Sequence, residues 1–244
     1  MDIYREIKSI DIVIPVYNEE AYLLRNVKML YSYLEKINNF SWKIIIADNA
    51  SIDKTLQIAK KLSTQHKRIT YFHLPVKGKG RALRKAFLRS SADIVCCMDA
   101  DLSTNLRYLK ILFEGIACGF DLAVGTRLMQ ASMTKRRWNR EIISRIYNFM
   151  IKCLFFNKFS DAHCGFKVLK TKVAKQLIPL IENNGWFFDA ELLLLAEYNK
   201  YRIFEVPVEW TEDIKSKVNI PKTVIEDLLG MFRLRCTINK KKVK

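Results

Sequence analysis

Short apolar runs alternate with helical patterns through the first half of the chain, and this alternation constrains the fold more than any other feature. The runs occupy residues 10–16, 42–47, 69–74 and 94–98, with helical spacing of apolar residues between them. Strands that alternate with helices predict a doubly wound, mostly parallel sheet flanked by helices. Ligands of such sheets bind at the carboxyl ends of the strands. We therefore expect the functional site where these runs end.

Polar side chains follow three of the four runs. They are Asn18-Glu19 after the first, Asp48-Asn49 after the second and Asp99-Ala100-Asp101 after the fourth. Asp99 and Asp101, separated by one residue, can both turn toward one Mg²⁺ or Mn²⁺ ion, and such an ion commonly binds substrate phosphates as well. Because the motif is short, a pair of solvated turn aspartates is the alternative interpretation.

The chain is strongly basic. Lys and Arg number 42 against 25 Asp and Glu, which gives a formal net charge of +17. Such a surface attracts anions, and nucleic acid, an acidic membrane and a phosphorylated ligand all qualify. The hydrophobic fraction of 50% is enough for one α/β domain over residues 1–244. We see no repeat, linker or low-complexity segment that would divide it.

Cysteine usage and the lack of long apolar segments indicate the compartment. The six cysteines form no CxxC pair, which is typical of a reducing, cytoplasmic setting, and the three histidines show no zinc-ligand spacing with them. A membrane span needs about 20 nearly uncharged apolar residues, and no window of the sequence qualifies. The N-terminus lacks the apolar core of a signal peptide. The sequence predicts a soluble or peripheral protein.

The second half contains a helix with an unusual surface. The pattern predicts it over residues 141–156, with Glu141, Arg145, Asn148 and Lys152 in one narrow polar stripe and apolar residues almost everywhere else. Such a helix is either wholly buried or lies in a membrane interface. A second amphipathic helix is predicted over residues 223–236, before a basic tail at 240–244. Elsewhere in this half we expect strands at 121–126, 166–169 and 203–208, a helix at 187–198 and a loop-like segment at 133–140.

Eight short stretches of the sequence match one enzyme family, in order and at similar spacing. They are VIPVYNEE (13–20), DNASIDKT (48–55), KGKGRAL (77–83), MDADLST (98–104), VGTR (124–127), DAHCGFKVL (161–169), WFFDAELL (186–193) and IFEVPVEW (203–210). With them the chain resembles the family 2 glycosyltransferases over about residues 10–217, most closely the dolichyl-phosphate glucose and mannose synthases. The resemblance implies the GT-A fold. It also implies a metal-dependent, inverting transfer of a hexose from UDP-glucose or GDP-mannose to polyprenyl (dolichyl) phosphate.

The resemblance assigns donor and metal binding to about residues 10–130. The residues that would bind the nucleotide sugar are Pro15, Tyr17, Glu19, Asp48, Lys79, Asp99 and Asp101. Asp48 would bind the base, and Lys79 would approach the donor phosphates. Asp101 would be the principal ligand of Mg²⁺ or Mn²⁺ and a catalytic residue, while Asp99 would reach the metal or the ribose. Asp53, near the base, suits a helix N-cap equally well.

The same resemblance places the acceptor and membrane-interface helices in about residues 131–244. Arg127, Arg140 and Ser144 would contact the acceptor phosphate, because a guanidinium fork can pair two phosphate oxygens at once. The loop before Arg140 aligns poorly with the family. Three basic residues in that loop therefore compete with it: Lys135, Arg136 and Arg137.

The role of Asp189 depends on the acceptor. If the acceptor is a sugar hydroxyl, a base must remove its proton, and Asp189 is the first candidate, followed by Asp161 and His163. If the acceptor is a phosphate, it is already ionised, and Asp189 would orient the sugar instead. Our hypothesis favours the polyprenyl phosphate, with a lipid-diphosphate-linked sugar as the alternative.

The partners follow from these interpretations. We expect a nucleotide-sugar donor, a lipid-linked acceptor and an anionic membrane surface on the cytoplasmic side, where each nearby Lys or Arg contributes roughly 1 kcal/mol. A nucleic-acid-binding protein is the second alternative, and it would need base-stacking aromatics within a basic face. A nucleotidyltransferase is a further one, but SIDIVIPVYNEE lacks its Gly-rich phosphate loop. The oligomeric state is not predicted.

Overall fold

The computed structural model describes residues 7–37, 40–212 and 220–243, with side chains from residue 223 onward in the last range. Several predictions touch residues outside these ranges: the N-terminus at 1–6, the end of the family resemblance at 213–217, and Lys244 of the basic tail. The described residues form nine strands and eight α-helices.

Seven strands build one central sheet. The nine strands are β1 (Ser9–Val16), β2 (Ser41–Asn49), β3 (Ile69–Leu74), β4 (Ile94–Cys97), β5 (Leu122–Thr126), β6 (Met133–Lys135), β7 (Lys167–Lys170), β8 (Ile203–Pro207) and β9 (Glu209–Thr211). The central sheet has the order β3-β2-β1-β4-β7-β5-β8, and every pair in it is parallel except the two that β7 makes. β6 and β9 pair separately. The predicted mostly parallel sheet is confirmed.

Helices cover both faces of the sheet. They are α1 (Leu23–Glu35), α2 (Thr55–Gln65), α3 (Lys79–Arg89), α4 (Tyr108–Ala117), α5 (Trp138–Phe155), α6 (Thr171–Leu177), α7 (Phe188–Tyr198) and α8 (Ile220–Thr237). Successive side chains of a strand point to opposite faces. In β1, Ile12 and Ile14 therefore pack with α1, α2 and α4, whereas Val13 packs with α3, α6 and α7. The sheet is doubly wound, as predicted.

The second half differs in detail from the prediction. Residues 133–140 are not a plain loop, because they contain β6 and the start of α5. β6 pairs with β9, and a three-residue strand is too short to show an alternating pattern. The predicted helix at 141–156 begins earlier, at Trp138. α4 and α6 were not predicted.

α7 is buried on all sides, including two acidic residues. Asp189 and Glu191 are 1% and 0% exposed. Glu191 binds Arg233 of α8 at 2.8 Å and accepts hydrogen bonds from the N–H groups of Glu182 (3.1 Å) and Asn183 (3.0 Å). Buried carboxylates need such partners. These contacts attach α8 to the core.

α5 exposes much of its apolar surface. Tyr147, Asn148 and Ile151 face inward, so the predicted polar stripe is not one continuous surface face. Asn148 instead accepts a hydrogen bond from the Ala162 N–H at 2.9 Å. Large apolar side chains point outward: Trp138, Ile142, Ile143, Ile146, Phe149 and Leu154. The wholly buried alternative is therefore wrong. Within the ranges that the structure covers, no helix has the length and apolar character needed to cross a membrane.

Candidate active site

The carboxyl ends of β1, β2 and β4 meet at one edge of the central sheet, because these strands are adjacent and parallel. β7 runs the other way and begins at this edge, where Lys167 pairs with Cys97 at the end of β4. β5 runs antiparallel to β7 and ends here too, directly before Arg127. The topology thus brings the three predicted polar strand ends and Arg127 to one side of the sheet.

The loops after β1 and β2 bind each other. The N–H of Asn18 donates to Ser51 Oγ, and the N–H of Ile52 donates to Asn18 Oδ1, both at 2.9 Å. Asn18 has a left-handed backbone (φ 56°), which Asn adopts more readily than most residues. The N–H of Glu19 donates to Thr55 Oγ1 at 2.7 Å. These bonds fix the predicted base- and ribose-binding loops relative to each other.

The other residues predicted near the base lie at the same edge. Pro15 is at the end of β1, and the ring of Tyr17 has the Lys77 ammonium 3.6 Å above its centre. Asp53 accepts a hydrogen bond from the N–H of Thr55, the first residue of α2, at 2.9 Å. The helix-capping interpretation of Asp53 fits this bond.

Asp48 is completely buried and has one oxygen without a partner. Its Oδ2 lies 2.5 Å from Nδ1 of His73, whereas Oδ1 has no hydrogen-bond partner among the described residues. An unpaired buried acceptor costs about 1–3 kcal/mol, so this oxygen is suited to receive an N–H from a ligand. Sequence reasoning missed His73. The signal was the pairing of β2 with β3, which sets His73 opposite Asp48.

Lys79, the first residue of α3, joins two carboxylates. Its Nζ lies 3.2 Å from Asp99 Oδ1 and 3.1 Å from Asp189 Oδ2. Burial alone would lower the pKa of Lys79, but Asp189 and Asp99 outweigh burial and raise it. Lys167 Nζ lies on the other side of Asp189, 2.9 Å from Oδ1. Burial would raise the pKa of Asp189, yet Lys167 and Lys79 lower it to about 2.

Asp189 is therefore a fixed anion between two lysines. Sequence reasoning named Asp189 and Lys79 but missed Lys167. The available signal was a lysine in the apolar run of β7, because a buried ammonium requires a charged partner. Lys167 is fully buried in the structure.

The N-terminus of α3 is closed by backbone. The N–H groups of Gly80 and Arg81 donate to the carbonyls of Gly185 (3.2 Å) and Asn184 (3.1 Å). Gly80 packs against the Phe188 ring, where a Cβ would clash. A phosphate group here would meet the Lys79 side chain rather than these helix amides.

Asp99 and Asp101 are the candidate metal ligands. Asp99 packs on Gly165, where any side chain would displace its carboxylate, and Asp101 Oδ1 accepts a hydrogen bond from the Ser103 N–H at 2.9 Å. The described residues contain no group of three or more His, Cys, Asp or Glu that could hold a metal. Two carboxylates nevertheless fit Mg²⁺ or Mn²⁺, which fill their shell with water and substrate phosphate oxygens.

Arg127 is bound by Asp161. Its N–H and Nε donate to Oδ2 (3.1 and 2.7 Å), and Nη2 donates to Oδ1 (2.9 Å). Asp161 is fully buried, which would raise the pKa of its carboxyl, but Arg127 holds that pKa well below the usual range. Asp161 is therefore a poor proton acceptor. The guanidinium has further N–H donors for a second anion.

Arg140 and Ser144 lie on α5 and do not share these contacts. Arg140 Nη1 binds Glu212 Oε1 at 2.7 Å, and the competing Arg136 binds Glu141. Ser144 accepts a hydrogen bond from Asn148 on its carbonyl at 2.9 Å. Arg127 is thus held beside the site by Asp161. The predicted roles of Arg140 and Ser144 in binding the acceptor phosphate remain predictions.

The family model described as glycosyl transferase family 2 matches residues 11–178. The chain belongs to this family. It is a glycosyltransferase, as predicted. Glycosyltransferase AglD of Haloferax volcanii is 31% identical over 91% of this chain, which spans 36% of AglD. The human and Saccharomyces cerevisiae dolichyl-phosphate beta-glucosyltransferases are 29% and 26% identical over 86% of this chain, which spans 70% and 69% of their lengths. The predicted resemblance to dolichyl-phosphate hexose synthases is confirmed.

Solved structures show the same fold. Glucosyl-3-phosphoglycerate synthase from Mycobacterium tuberculosis, in complex with Mn²⁺, UDP and glucosyl-3-phosphoglycerate, superposes with a TM-score of 0.69 and 16% identity. The match covers 96% of this chain and 81% of that one. The complex of that synthase with Mn²⁺, UDP-glucose and phosphoglyceric acid gives a TM-score of 0.71 at 15% identity. The predicted GT-A fold is confirmed.

Proposed function

We propose that this glycosyltransferase moves glucose from a nucleotide sugar to a polyprenyl phosphate, with inversion, at the cytoplasmic face of a membrane. The proposal extends to this chain the acceptor class and sugar that the names of its human and yeast relatives state. The structural observation that carries it is Asp189, whose carboxylate is held between Lys79 and Lys167. A carboxylate with a pKa of about 2 is a weak base for a sugar hydroxyl. An ionised phosphate needs no base, so this geometry favours a phosphate acceptor.

The donor would bind along the ends of β1, β2 and β4. The unpaired Oδ1 of Asp48 suits an N–H of the base, with Pro15, Tyr17 and Glu19 beside the base and ribose. Lys79 suits the donor phosphates. Asp101 and Asp99 would hold Mg²⁺ or Mn²⁺. When bound, that ion neutralises the negative charge that develops on the leaving diphosphate.

The acceptor phosphate would bind at Arg127, which Asp161 holds in one orientation. An oxygen of that phosphate forms the new bond to the anomeric carbon while the bond to the nucleoside diphosphate breaks on the opposite side. Arg140 and Ser144 would border the approach of the lipid. The contact between Lys79 and Asp189 joins residues 10–130 to residues 131–244 in one site. We therefore assign both regions to one domain.

The exposed faces of α5 and α8 would lie on the membrane. α8 packs against α5, and it adds Ile225, Leu228, Leu229 and Phe232 to the exposed apolar residues of α5. Exposed apolar patches of this kind mark interaction sites. Arg145 and Lys152 stand beside them on α5 and suit an anionic leaflet. The six cysteines are free thiols, which fits the cytoplasmic side.

Transfer by the purified chain tests the proposal. The assay offers UDP-glucose or GDP-mannose as donor. Each donor is tested with a short polyprenyl phosphate and with a lipid-diphosphate-linked sugar as acceptor. Reactions contain Mn²⁺ or Mg²⁺, and a parallel set contains excess EDTA instead. We expect glucosylated polyprenyl phosphate by mass spectrometry, and its loss in EDTA. Transfer to the lipid-diphosphate-linked sugar, with none to polyprenyl phosphate, would overturn the acceptor. Salt-sensitive polynucleotide binding without any effect of nucleotide sugars on thermal stability would support the nucleic-acid alternative.

A further inference from the structure

A buried polar cluster lies where α5, α8 and the loop before β7 meet. It consists of Tyr147 from α5, His163 from the loop and Asp227 from α8. The rings of Tyr147 and His163 are stacked with their centres 4.3 Å apart. His163 Nε2 lies 3.3 Å from Asp227 Oδ2. Three separate parts of the chain thus contribute to one cluster.

Each member of this cluster carries a buried polar atom that lacks a well-formed hydrogen bond in the part of the chain that the structure describes. These atoms are Tyr147 OH, His163 Nε2 and Asp227 Oδ1. Buried polar atoms are nearly always hydrogen-bonded, so three together are unusual. The distance between His163 Nε2 and Asp227 Oδ2 becomes a hydrogen bond after a small rotation of either side chain. The cluster therefore places His163 and Asp227 close enough to share a proton, beside a stacked tyrosine.

The cluster adjoins the proposed acceptor site. The backbone N–H of His163 donates to Asp161 Oδ1 at 3.1 Å, on the carboxylate that holds Arg127. The side chain of His163 is 24% exposed although its Nε2 is buried, so the exposed part lies elsewhere on the ring. Asp227, by contrast, is 3% exposed.

We propose that Asp227 is a positioning residue that selects the tautomer of His163 and so decides whether Nδ1 donates or accepts a hydrogen bond. The proposal rests on the proposed function, because it concerns the acceptor side of that site. When Asp227 is protonated it donates to Nε2, and Nδ1 carries the imidazole proton. That tautomer suits the oxygens of a phosphate. When Asp227 is ionised it accepts from Nε2–H, and Nδ1 becomes a lone-pair acceptor that suits a hydroxyl.

The charges around His163 and Asp227 support this change of tautomer. Burial, together with the nearby carboxylates of Glu226 and Asp189, raises the pKa of Asp227 to about 7. Tyr147 faces the pair from α5 without charge, because burial raises the pKa of its hydroxyl.

The imidazole has its own surroundings. The pKa of His163 is lowered to about 4, mainly by burial. Asp189 and Asp161 raise this pKa, whereas Arg127 and Lys167 lower it further. The pair is therefore neutral at mildly acidic pH, and its proton lies on Asp227.

Nitrogen NMR reads the tautomer directly and needs no substrate. The chain has 3 histidines, so ¹⁵N-histidine labelling gives a simple spectrum, and His163→Gln assigns the signals. Between about pH 5.5 and about pH 8.5 we expect the protonated ring nitrogen of His163 to change from Nδ1 to Nε2. In Asp227→Asn, whose amide donates to Nε2 at every pH, we expect Nδ1–H throughout. One tautomer at all pH values in the wild type, or the same exchange in Asp227→Asn, would overturn the proposal.

Acceptor kinetics give the second readout. In the wild type the acceptor KM should rise as Asp227 ionises, by about tenfold above pH 7. Asp227→Asn should lose this pH dependence, and Asp227→Leu should have a raised KM at every pH with a smaller effect on kcat. Comparing variants cancels the ionisation of the acceptor itself. Glu114→Gln removes a helix carboxylate on α4 and serves as the matched control, with an unchanged profile. Equal profiles in all four proteins would contradict the role of Asp227, whereas absence of transfer in the wild type would contradict the proposed function alone.

Discussion

Lys79 Nζ lies 3.1 Å from Asp189 Oδ2, and this buried ion pair joins the start of α3 to α7, the most buried helix of the second half. Lys167 completes the arrangement from the antiparallel strand β7. Two cations and one anion therefore occupy the space between the proposed donor and acceptor sides, with Asp99 as a second anion next to Lys79. We expect the balance of charge at this point to affect both stability and transfer.

Asp101→Asn should abolish transfer while the protein stays folded. The substitution removes a charged oxygen from the proposed metal site and leaves the shape of the loop unchanged. Asp99→Asn should be severe as well, because the remaining carboxylate would hold the ion weakly. Transfer rates and circular dichroism of both variants, with Mn²⁺ titrated, check this. Full wild-type activity in excess EDTA would show that no metal assists the reaction.

Arg127→Ala should raise the KM for polyprenyl phosphate by about 10- to 100-fold, because each charge-assisted hydrogen bond is worth about 1.5–3 kcal/mol. Donor binding should change little. Asp161→Asn should raise the same KM less, since it loosens Arg127 without removing it. Arg68→Ala, at the opposite edge of the sheet, is the matched control, because its guanidinium packs on Trp42. An acceptor KM unchanged by Arg127→Ala would place the phosphate elsewhere.

Phe149→Ser combined with Phe232→Ser should weaken binding to vesicles that contain phosphatidylserine and leave nucleotide affinity unchanged. Both side chains are largely exposed, at 67% and 72%, so their loss should not unfold the protein. Phe155 is unsuitable because it packs partly against the core. Met29→Ser removes an exposed apolar side chain from α1 and is the control. Vesicle co-sedimentation measures the effect, and equal binding by all variants would contradict the membrane role of α5 and α8.

Asp227→Asn should stabilise the protein more at about pH 8 than at about pH 5. Burial raises the pKa of Asp227 to about 7 in the folded state, above its unfolded value, so folding favours the protonated form. Stability therefore falls as pH rises toward 7, and the neutral amide avoids that loss. The difference between the two pH values should be on the order of 1–3 kcal/mol. Urea denaturation at both pH values measures it, and an equal effect at both would show that Asp227 titrates normally.

Much of the fold followed from periodicity, because β1, β2, β3 and β4 are apolar runs separated by amphipathic helices, and β1, β2 and β4 are largely buried. The same pattern placed the polar strand ends at one edge. It did not find β6, β9, α4 or α6, whose patterns are short or uninformative. Sequence order also cannot show which strand β7 joins. The contact of Lys167 with Asp189 therefore emerged from the folded structure, and that of Asp227 with His163 emerged from the packing of α8 on α5.

The site residues divide in the same way. Asp48, Asp99 and Asp189 could be named from motifs, since acidic residues after buried strands or within an apolar helix are conspicuous. Their partners could not be, because His73 and the two lysines are distant from them in sequence. The predicted catalytic base is a lysine-bound anion for this reason.

The most direct test of the central claim, that the acceptor arrives already ionised, is kcat of Asp189→Asn with polyprenyl phosphate as acceptor. A positioned base contributes about 10²- to 10⁴-fold in rate, whereas an anion between Lys79 and Lys167 contributes mainly to stability and orientation. Removing its charge leaves buried lysines unpaired and should cost about 3–5 kcal/mol of stability, so the assay is run at a temperature where circular dichroism shows the variant folded. We predict a kcat loss of less than about tenfold. A loss of about 10²-fold or more in the folded variant would show that Asp189 takes a proton from the acceptor, and would contradict a phosphate acceptor.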